Sequence, residues 1–168
     1  NTATNSFTVI VNDVSNPEVN CPGAITTVND PGQCGAVVTY AVPFSDNCPG
    51  ATITQTAGLA SGSQFPVGVT ANTFVVTDAF GNSATCSFTV TVNDNQLPVI
   101  SGPSNMNTVV NTSGCLAVVN YSLPSFSDNC TGATLAETAG LASGSAFPLG
   151  VTTNGFVVTD AAGNAATC

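Results

Sequence analysis

The chain has 168 residues with no Lys, Arg or His and nine Asp plus Glu, which gives a formal charge of −9. Nucleic-acid binding and polybasic membrane patches both require cationic side chains, so the composition excludes both roles. A Ser or Thr nucleophile would have only a carboxylate to activate it, and we therefore predict that the protein is not an enzyme.

Hydrophobic residues make up 43% of the chain, and charged residues only 5%. This composition is too apolar for a disordered tail, and no apolar run approaches the ~18 residues of a membrane span. We expect a folded protein without membrane insertion. The seven cysteines lack the CxxC spacing of metal sites, so they indicate disulfides and an extracellular setting.

An internal repeat organises the chain. Residues 58–86 align without gaps to residues 140–168, and six of the 29 positions differ. We divide the chain into repeat 1 (14–94) and repeat 2 (95–168), each starting after a "VND" motif. Residues 1–13, "NTATNSFTVIVND", match the end of repeat 1, "NSATCSFTVTVND". They are predicted to be the last strand of a preceding or neighbouring repeat, and repeat 2 lacks its own copy.

Strand periodicity runs through each repeat. In chain order we predict strands near 24–29, 35–42, 51–57, 70–78 and 83–92, separated by clusters of Gly, Pro, Asn and Asp. The last of these alternates Phe88, Val90 and Val92 on one face with Ser and Thr on the other. Several short strands with frequent turns and no helical stripe predict an all-β sandwich.

Three stretches carry a resemblance to a known family: "NCPGAITTVNDPGQCGAVVTY", "DNCPGATITQTAGLASGSQFPVG" and "TFVVTDAFGNSATCSFTVTVND". They resemble the HYR (hyalin repeat) domain, an immunoglobulin-like module found in tandem in extracellular proteins, including long bacterial surface proteins. The resemblance implies an all-β fold of tandem immunoglobulin-like β-sandwiches placed end to end. It implies extracellular adhesive or structural roles and supplies no catalytic residues.

The four cysteines of repeat 1, Cys21, Cys34, Cys48 and Cys86, permit three pairings. In an immunoglobulin-like sandwich the first and last strands can lie side by side, so the resemblance implies a Cys21–Cys86 bond. That leaves Cys34–Cys48. If residues 35–42 form one straight strand, these two cysteines start at its opposite ends, and the loop must then fold back.

Repeat 2 keeps three of these cysteines but has Gly102 at the position of the first. By the same reasoning Cys115 pairs with Cys130. Cys168 then remains unpaired or bonds outside the repeat.

The "VND" boundaries are candidate metal sites. "VNDNQLPV" is superficially similar to the calcium-binding linkers of cadherins, and Ca²⁺ requires several oxygen ligands. The predicted ligands are Asp94, Asn93 and Asn95 at one boundary and Asp13 at the other, with Asp46 or Asp128 reaching in from a loop of the following repeat. The alternative is a polar linker whose Asp and Asn side chains only make turns, with no cofactor at all.

Two further motifs are interpreted structurally. Phe65 and Phe147 in "FPVGVT" and "FPLGVT" are expected to close one end of each sandwich. Asp78 and Asp160 in "TDAFGN" and "TDAAGN" are expected to accept hydrogen bonds from backbone amides of a hairpin turn.

These observations predict an extracellular, non-enzymatic structural module, the disulfide-stapled shaft of a bacterial surface adhesin or filament. Its partners would be neighbouring repeats or copies. Either the parent chain continues as a tandem array, or Phe7, Val9 and Val11 complete a unit of another copy by strand donation. The alternatives are a ligand-binding adhesion module for a glycan or protein, with or without calcium, and a spacer domain of a secreted enzyme.

Overall fold

A computed structural model describes residues 1–110 and 114–168, and these described residues form strands and turns without a helix. No membrane-spanning helix is therefore found among them. The first half contains β1 (Glu18–Val19), β2 (Ile25–Val28), β3 (Gly35–Val37), β4 (Phe44–Ser45), β5 (Thr52–Ala57), β6 (Gln64–Pro66), β7 (Gly68–Thr77) and β8 (Ser83–Asn93). The second contains β9 (Val99–Ser101), β10 (Leu116–Val118), β11 (Ser125–Ser127), β12 (Thr134–Ala139), β13 (Ala146–Pro148), β14 (Gly155–Thr159) and β15 (Ala165–Thr167). The prediction of an all-β fold is confirmed.

The chain forms two compact units whose bounds differ from a simple cut between repeats. The first unit comprises residues 1–27 and 36–92, and the second comprises residues 28–35 and 93–168. A short segment from within repeat 1, residues 28–35, therefore belongs to the second unit.

The principal sheet of the first unit has the strand order β2-β8-β7-β5. Strands β7 and β8 form a long antiparallel hairpin, in register from Gly68 opposite Val92 to Thr77 opposite Ser83. The predicted alternation along β8 is confirmed, because Phe88, Val90 and Val92 are all buried. A strand with one apolar face needs a core on that side, and β8 supplies three of its side chains.

The remaining core of this unit comes from β3, β6 and β7. Phe65 is fully buried, as its predicted role in closing the sandwich requires. The ring of Tyr40 packs edge-on against Phe65, Phe74 and Phe88, a geometry favoured by aromatic pairs. Its hydroxyl donates to the carbonyl of Leu59, so the buried aromatic end and the polar end are both satisfied.

The second unit repeats this plan with a smaller sheet, ordered β12-β14-β15. Strand β15 pairs only with Val157–Thr159 of β14. Among the described residues, no strand pairs with 150–154, whose counterparts 68–72 pair with β8 in the first unit. The core is correspondingly more open, because Phe147 is only half-buried whereas its counterpart Phe65 is fully buried.

Residues 1–16 contain no strand, and their apolar side chains lie in solvent. Phe7, Val9 and Val11 are 90%, 71% and 84% exposed. Their predicted role in completing another unit involves a second repeat or copy, and it stays a prediction for this single chain.

Candidate functional site

The first disulfide joins Cys21, which precedes β2, to Cys86 in β8. This is the pairing that the family resemblance implies. Strands β2 and β8 are neighbours in the principal sheet, and the bond fastens them covalently.

The second disulfide joins Cys34 to Cys130, 96 residues further along the chain. The predicted Cys34–Cys48 and Cys115–Cys130 bonds are therefore wrong. The physical reason is that residues 28–35, which carry Cys34, pack with the second unit. Strand β3 begins only at Gly35, so Cys34 lies in the segment that precedes this strand.

Hydrogen bonds hold the 28–35 segment inside the second unit. The Asn29 amide donates to the Asn93 carbonyl at 2.9 Å, and the Asn95 amide donates to Asn29 Oδ1 at 3.1 Å. The Gly32 amide donates to Gln96 Oε1 at 2.7 Å. The segment is thus docked by several contacts besides its disulfide.

Three cysteines have free thiols: Cys48, Cys115 and Cys168. Cys168 corresponds to Cys86, and Gly102 stands where the partner Cys21 stands in the first repeat. The structure places Gly102 beside Cys168, because a Cβ added at Gly102 would lie 3.1 Å from the Cys168 Sγ. The prediction that Cys168 lacks a partner within its repeat agrees with this geometry.

Three carboxylates converge in the first unit. Asp13 precedes β1, Asp46 follows β4 and Asp78 follows β7, and one carboxylate oxygen of each lies within 4.8 Å of the others. The sequence alone groups Asp13 with Asp46 and predicts only a turn role for Asp78. That interpretation is also correct, since Asp78 Oδ1 accepts from the amides of Phe80 and Asn82 at 2.9 and 2.8 Å.

Asn82 connects the turn to this cluster. Its Nδ2 donates both to Asp78 Oδ2 at 2.7 Å and to the Asp13 carbonyl at 3.2 Å. Partial burial would raise the pKa of Asp78, but the hydrogen bonds from Asn82 and the turn amides outweigh it and lower that pKa. The pKa of Asp13 is lowered chiefly by the backbone amide of Ser15. Both groups are therefore ionised at neutral pH.

The second unit builds a related cluster that contains two carboxylates instead of three. Asp94, Asp128 and the Cys130 sulfur have atoms within 4.8 Å of one another. Because the Cys130 sulfur is in a disulfide, Asp94 and Asp128 are the two groups of this set that could ligate a metal. Asn164 Nδ2 donates to the Asp94 carbonyl at 3.2 Å, as Asn82 does to Asp13.

Both clusters contain buried oxygens without a donor. Oδ1 of Asp46 and Oδ1 of Asp128 are buried, and no group in the described part of the chain donates to either. Oδ1 of Asn129, next to Asp128, is in the same state. Buried polar atoms are normally hydrogen-bonded, so such atoms call for a missing partner. The sequence has no Lys, Arg or His that could provide one, and a hard cation such as Ca²⁺ prefers these oxygen ligands.

The predicted amide ligands take other contacts. Asn93 and Asn95 bind Asn29 through their backbone carbonyl and amide, respectively. Coordination by their side chains stays a prediction. Asn47 and Asn129, which the sequence analysis did not single out, do reach the carboxylates: Asn47 Nδ2 donates to Asp13 Oδ2 at 3.1 Å, and Asn129 Nδ2 donates to Asp94 Oδ1 at 3.4 Å.

A shallow cleft of about 640 Å³ lies elsewhere on the first unit, between the β1 and β4 segments. Its lining includes Pro17, Val19, Pro43 and Phe44, with Glu18 as a carboxylate. The polar residues Asn20, Ser45 and Thr85 also line this cleft, so its surface is mixed in character.

Comparison with known proteins assigns residues 12–168. The HYR domain family model matches residues 12–92 and again residues 93–168. The chain belongs to the HYR domain family. The two HYR repeats begin at the "VND" motifs, so each repeat carries one carboxylate cluster, and Asp13 and Asp94 occupy equivalent positions.

The following similar proteins come from animals. The chain is 32% identical over 166 residues to hyalin of Strongylocentrotus purpuratus, which covers 96% of this chain and 14% of that protein. It is 32% identical over 168 residues to hyalin of Lytechinus variegatus, covering 96% of this chain and 31% of that protein. A third relative, also 32% identical over 166 residues and 96% of this chain, is the sushi, von Willebrand factor type A, EGF and pentraxin domain-containing protein 1 of Rattus norvegicus. The match covers 4% of that protein. This chain thus spans between 4% and 31% of the length of these relatives.

Proposed function

We propose that this chain is a non-enzymatic structural module of an extracellular protein, in which tandem HYR repeats form the shaft of a surface adhesin or filament. The observation that carries the proposal is the Cys34–Cys130 disulfide. It ties a segment of the first repeat into the compact unit formed by the second.

A covalent bond of this kind resists the separation of successive repeats, which is what a shaft under tension requires. Disulfides persist in oxidising compartments, and this supports an extracellular location. The named relatives also contain such repeats within much longer proteins. The bacterial cell surface stays a prediction of the sequence analysis, because those relatives are animal proteins.

The exposed N-terminal strand sequence supports contact with a neighbouring repeat or copy. In β8, the equivalents of Phe7, Val9 and Val11 are buried core residues paired with β7. In the second unit, the equivalent stretch of backbone before β14 has no strand partner among the described residues. Burying three large apolar side chains is worth about 1.5–3 kcal/mol each. Either a continuous array or a donated strand places "SFTVIVN" in that position.

The experiment compares the assembly of two variants whose substitutions lie at adjacent positions, Val9 and Ile10. Val9 corresponds to the fully buried Val90, whereas Ile10 corresponds to Thr91 on the other face of the strand. Light scattering and negative-stain microscopy of the full chain should show linear assemblies. Val9→Asp should abolish them, and Ile10→Asp should leave them largely intact. Wild-type protein that stays a compact monomer at all concentrations would contradict strand donation.

A second candidate function is calcium-dependent adhesion. It is favoured by the buried oxygens of Asp46 and Asp128 that lack a hydrogen-bond donor. Each repeat would bind one Ca²⁺, and extracellular modules typically do so with a Kd of about 10⁻⁴–10⁻³ M. Ca²⁺ should raise the melting temperature, since a ligand bound only to the folded form stabilises it by mass action. An identical melting temperature in excess EDTA and in millimolar Ca²⁺ would mean that the side chains of these clusters only stabilise turns.

A further inference from the structure

The Cys34–Cys130 bond has an unpaired counterpart in the same chain. Alignment of the repeats matches "QCGAVVTY" around Cys34 with "GCLAVVNY" around Cys115. It also matches "FSDNC" ending at Cys48 with "FSDNC" ending at Cys130. Cys115 is therefore the equivalent of Cys34, and Cys48 is the equivalent of Cys130. Both Cys115 and Cys48 have free thiols.

The loop around Cys48 already has the conformation of the bonded loop. The Cys48 amide donates to Asp46 Oδ2 at 3.1 Å, and the Cys130 amide donates to Asp128 Oδ2 at 3.0 Å. The preceding Asn Nδ2 lies 3.4 Å from the Cys48 Sγ and 3.5 Å from the Cys130 Sγ. Cys48 is thus held in the geometry of a cysteine that has a disulfide partner.

Both Cys115 and Cys48 are accessible enough to form a disulfide. Cys115 is exposed, as Cys34 is, and Cys48 is partly exposed. A new disulfide requires a thiolate from one partner, a second thiol and an oxidant that accepts two electrons.

We propose that Cys115 of one chain forms a disulfide with Cys48 of a second copy, which links HYR chains covalently into a linear polymer. This proposed cross-link explains how the shaft would be joined, and it depends on the proposed shaft function. The Cys115 thiolate attacks an oxidising disulfide such as oxidised glutathione and releases one reduced thiol. The Cys48 thiolate then attacks the resulting mixed disulfide and releases the second. Two thiols lose two protons and two electrons, and one external disulfide is reduced to two thiols.

The sequence provides a direct way to map this bond. Its seven Asp residues separate all seven cysteines, so a protease that cuts before Asp leaves each cysteine in a different peptide. Trypsin would have no cleavage site, because the chain contains no Lys or Arg. Mass spectrometry of non-reduced digests can therefore assign every pairing unambiguously.

The decisive experiment uses the full chain in a Cys168→Ser background, which removes the third free thiol. With oxidised and reduced glutathione at pH 8, this protein should form a ladder of dimers, trimers and larger species on non-reducing gels. Addition of Cys48→Ser or Cys115→Ser should stop the ladder. Neither of these variants alone should dimerise, but an equal mixture should give a heterodimer, because each supplies the thiol that the other lacks.

The linked peptides decide the outcome. The proposal requires the peptide that contains Cys115 to be joined to the one that contains Cys48, with the Cys21–Cys86 and Cys34–Cys130 bonds unchanged. Equal homodimer formation by each single-thiol variant, or an internal Cys48–Cys115 bond in monomers, would overturn it. Linear assemblies that form without this bond would overturn the cross-link but leave the proposed shaft function standing.

Discussion

A Cβ atom added to Gly102 would lie 3.7 Å from the Cβ of Cys168, inside the second unit. Disulfides have Cβ–Cβ distances of about 3.5–4.5 Å, so the site has the spacing of a disulfide that lacks one cysteine. The Gly102→Cys substitution should therefore create a new disulfide to Cys168. A bond that closes so long a loop should raise the free energy of unfolding by about 2–4 kcal/mol.

The measurement is urea unfolding of Gly102→Cys with and without reductant, and Gly102→Ser is the matched control. The serine variant has nearly the same volume but cannot cross-link, and its stability should not depend on reductant through this position. Continued alkylation of Cys168 in the oxidised Gly102→Cys protein would show that the two residues are not positioned as described.

The carboxylate clusters predict a calcium stoichiometry. Wild-type protein should bind two Ca²⁺ per chain, one for each cluster. Asp46→Asn and Asp128→Asn should each reduce this to one, because each removes a charged ligand with a buried, unpartnered oxygen. Isothermal titration calorimetry measures the number of sites directly.

Glu18→Gln is the control for this titration, because it removes one negative charge at an exposed residue outside both clusters. It should leave the stoichiometry at two. If Glu18→Gln and Asp46→Asn weakened Ca²⁺ binding equally, the ion would be attracted by the overall negative charge of the protein and not held at a defined site.

The reactivity of Cys48 should depend on Asp13. A hydrogen bond to Asp13, partial burial and nearby carboxylates raise the pKa of the Cys48 thiol, the hydrogen bond being the largest cause. A raised pKa keeps the thiol protonated, and only the thiolate reacts with iodoacetamide. The stabilisation of the folded state by this thiol is present at neutral pH and is lost as pH rises through the folded-state pKa.

This prediction is tested in a Cys115→Ser/Cys168→Ser background, where Cys48 is the remaining free thiol. Alkylation at pH 8 should be several-fold faster after Asp13→Asn, and the midpoint of the pH–rate profile should move to lower pH. Asp46 and Asp78 also raise the pKa of the thiol and are retained in this variant. Superimposable profiles would argue against the contact with Asp13.

Gly58 makes a close approach that predicts a specific loss of stability. It has a φ of +89°, and an added Cβ would lie 2.1 Å from Asn72 Oδ1, which accepts a hydrogen bond from the Leu59 amide at 2.9 Å. Gly62 has a similar φ of +84° but open space around it.

Gly62→Ala should cost about 1–2 kcal/mol for the left-handed backbone alone. Gly58→Ala should cost at least ~1 kcal/mol more, because the methyl group must also displace the buried Asn72 side chain. Thermal unfolding of the two variants measures the difference. Equal destabilisation would mean that Asn72 can move aside.

Sequence periodicity predicted the strands well where one face is apolar. The long strand carrying Phe88, Val90 and Val92 was predicted at residues 83–92 and occupies Ser83–Asn93. The predicted 35–42 strand shrinks to Gly35–Val37, and the three short strands β1, β4 and β6 were not predicted. Such short pieces carry too few residues for a period-two pattern to emerge.

The cysteine pairing and the third carboxylate could not be read from the sequence for a different reason. Residue spacing within one repeat cannot show that residues 28–35 pack with the next unit, so Cys34 was paired locally. Asp78 was correctly assigned to a turn, but its approach to Asp13 depends on how the turn folds against residues 65 positions earlier. Long-range placement of this kind depends on tertiary packing and leaves no local periodic signal.

The Cys34–Cys130 bond also sets how far the molecule can be stretched. Because the two cysteines are 96 residues apart, a force applied at the two ends of the oxidised chain passes through the sulfur atoms and bypasses the intervening backbone. That backbone would otherwise contribute on the order of 300 Å of extension at 3.3–3.6 Å per residue. The β7–β8 hairpin lies entirely within this bypassed stretch, so its strands can come apart without lengthening the chain between its two ends. In an oxidising environment the protein should respond to load as a short tether with its principal sheet shielded, and reduction should turn it into a long, compliant one.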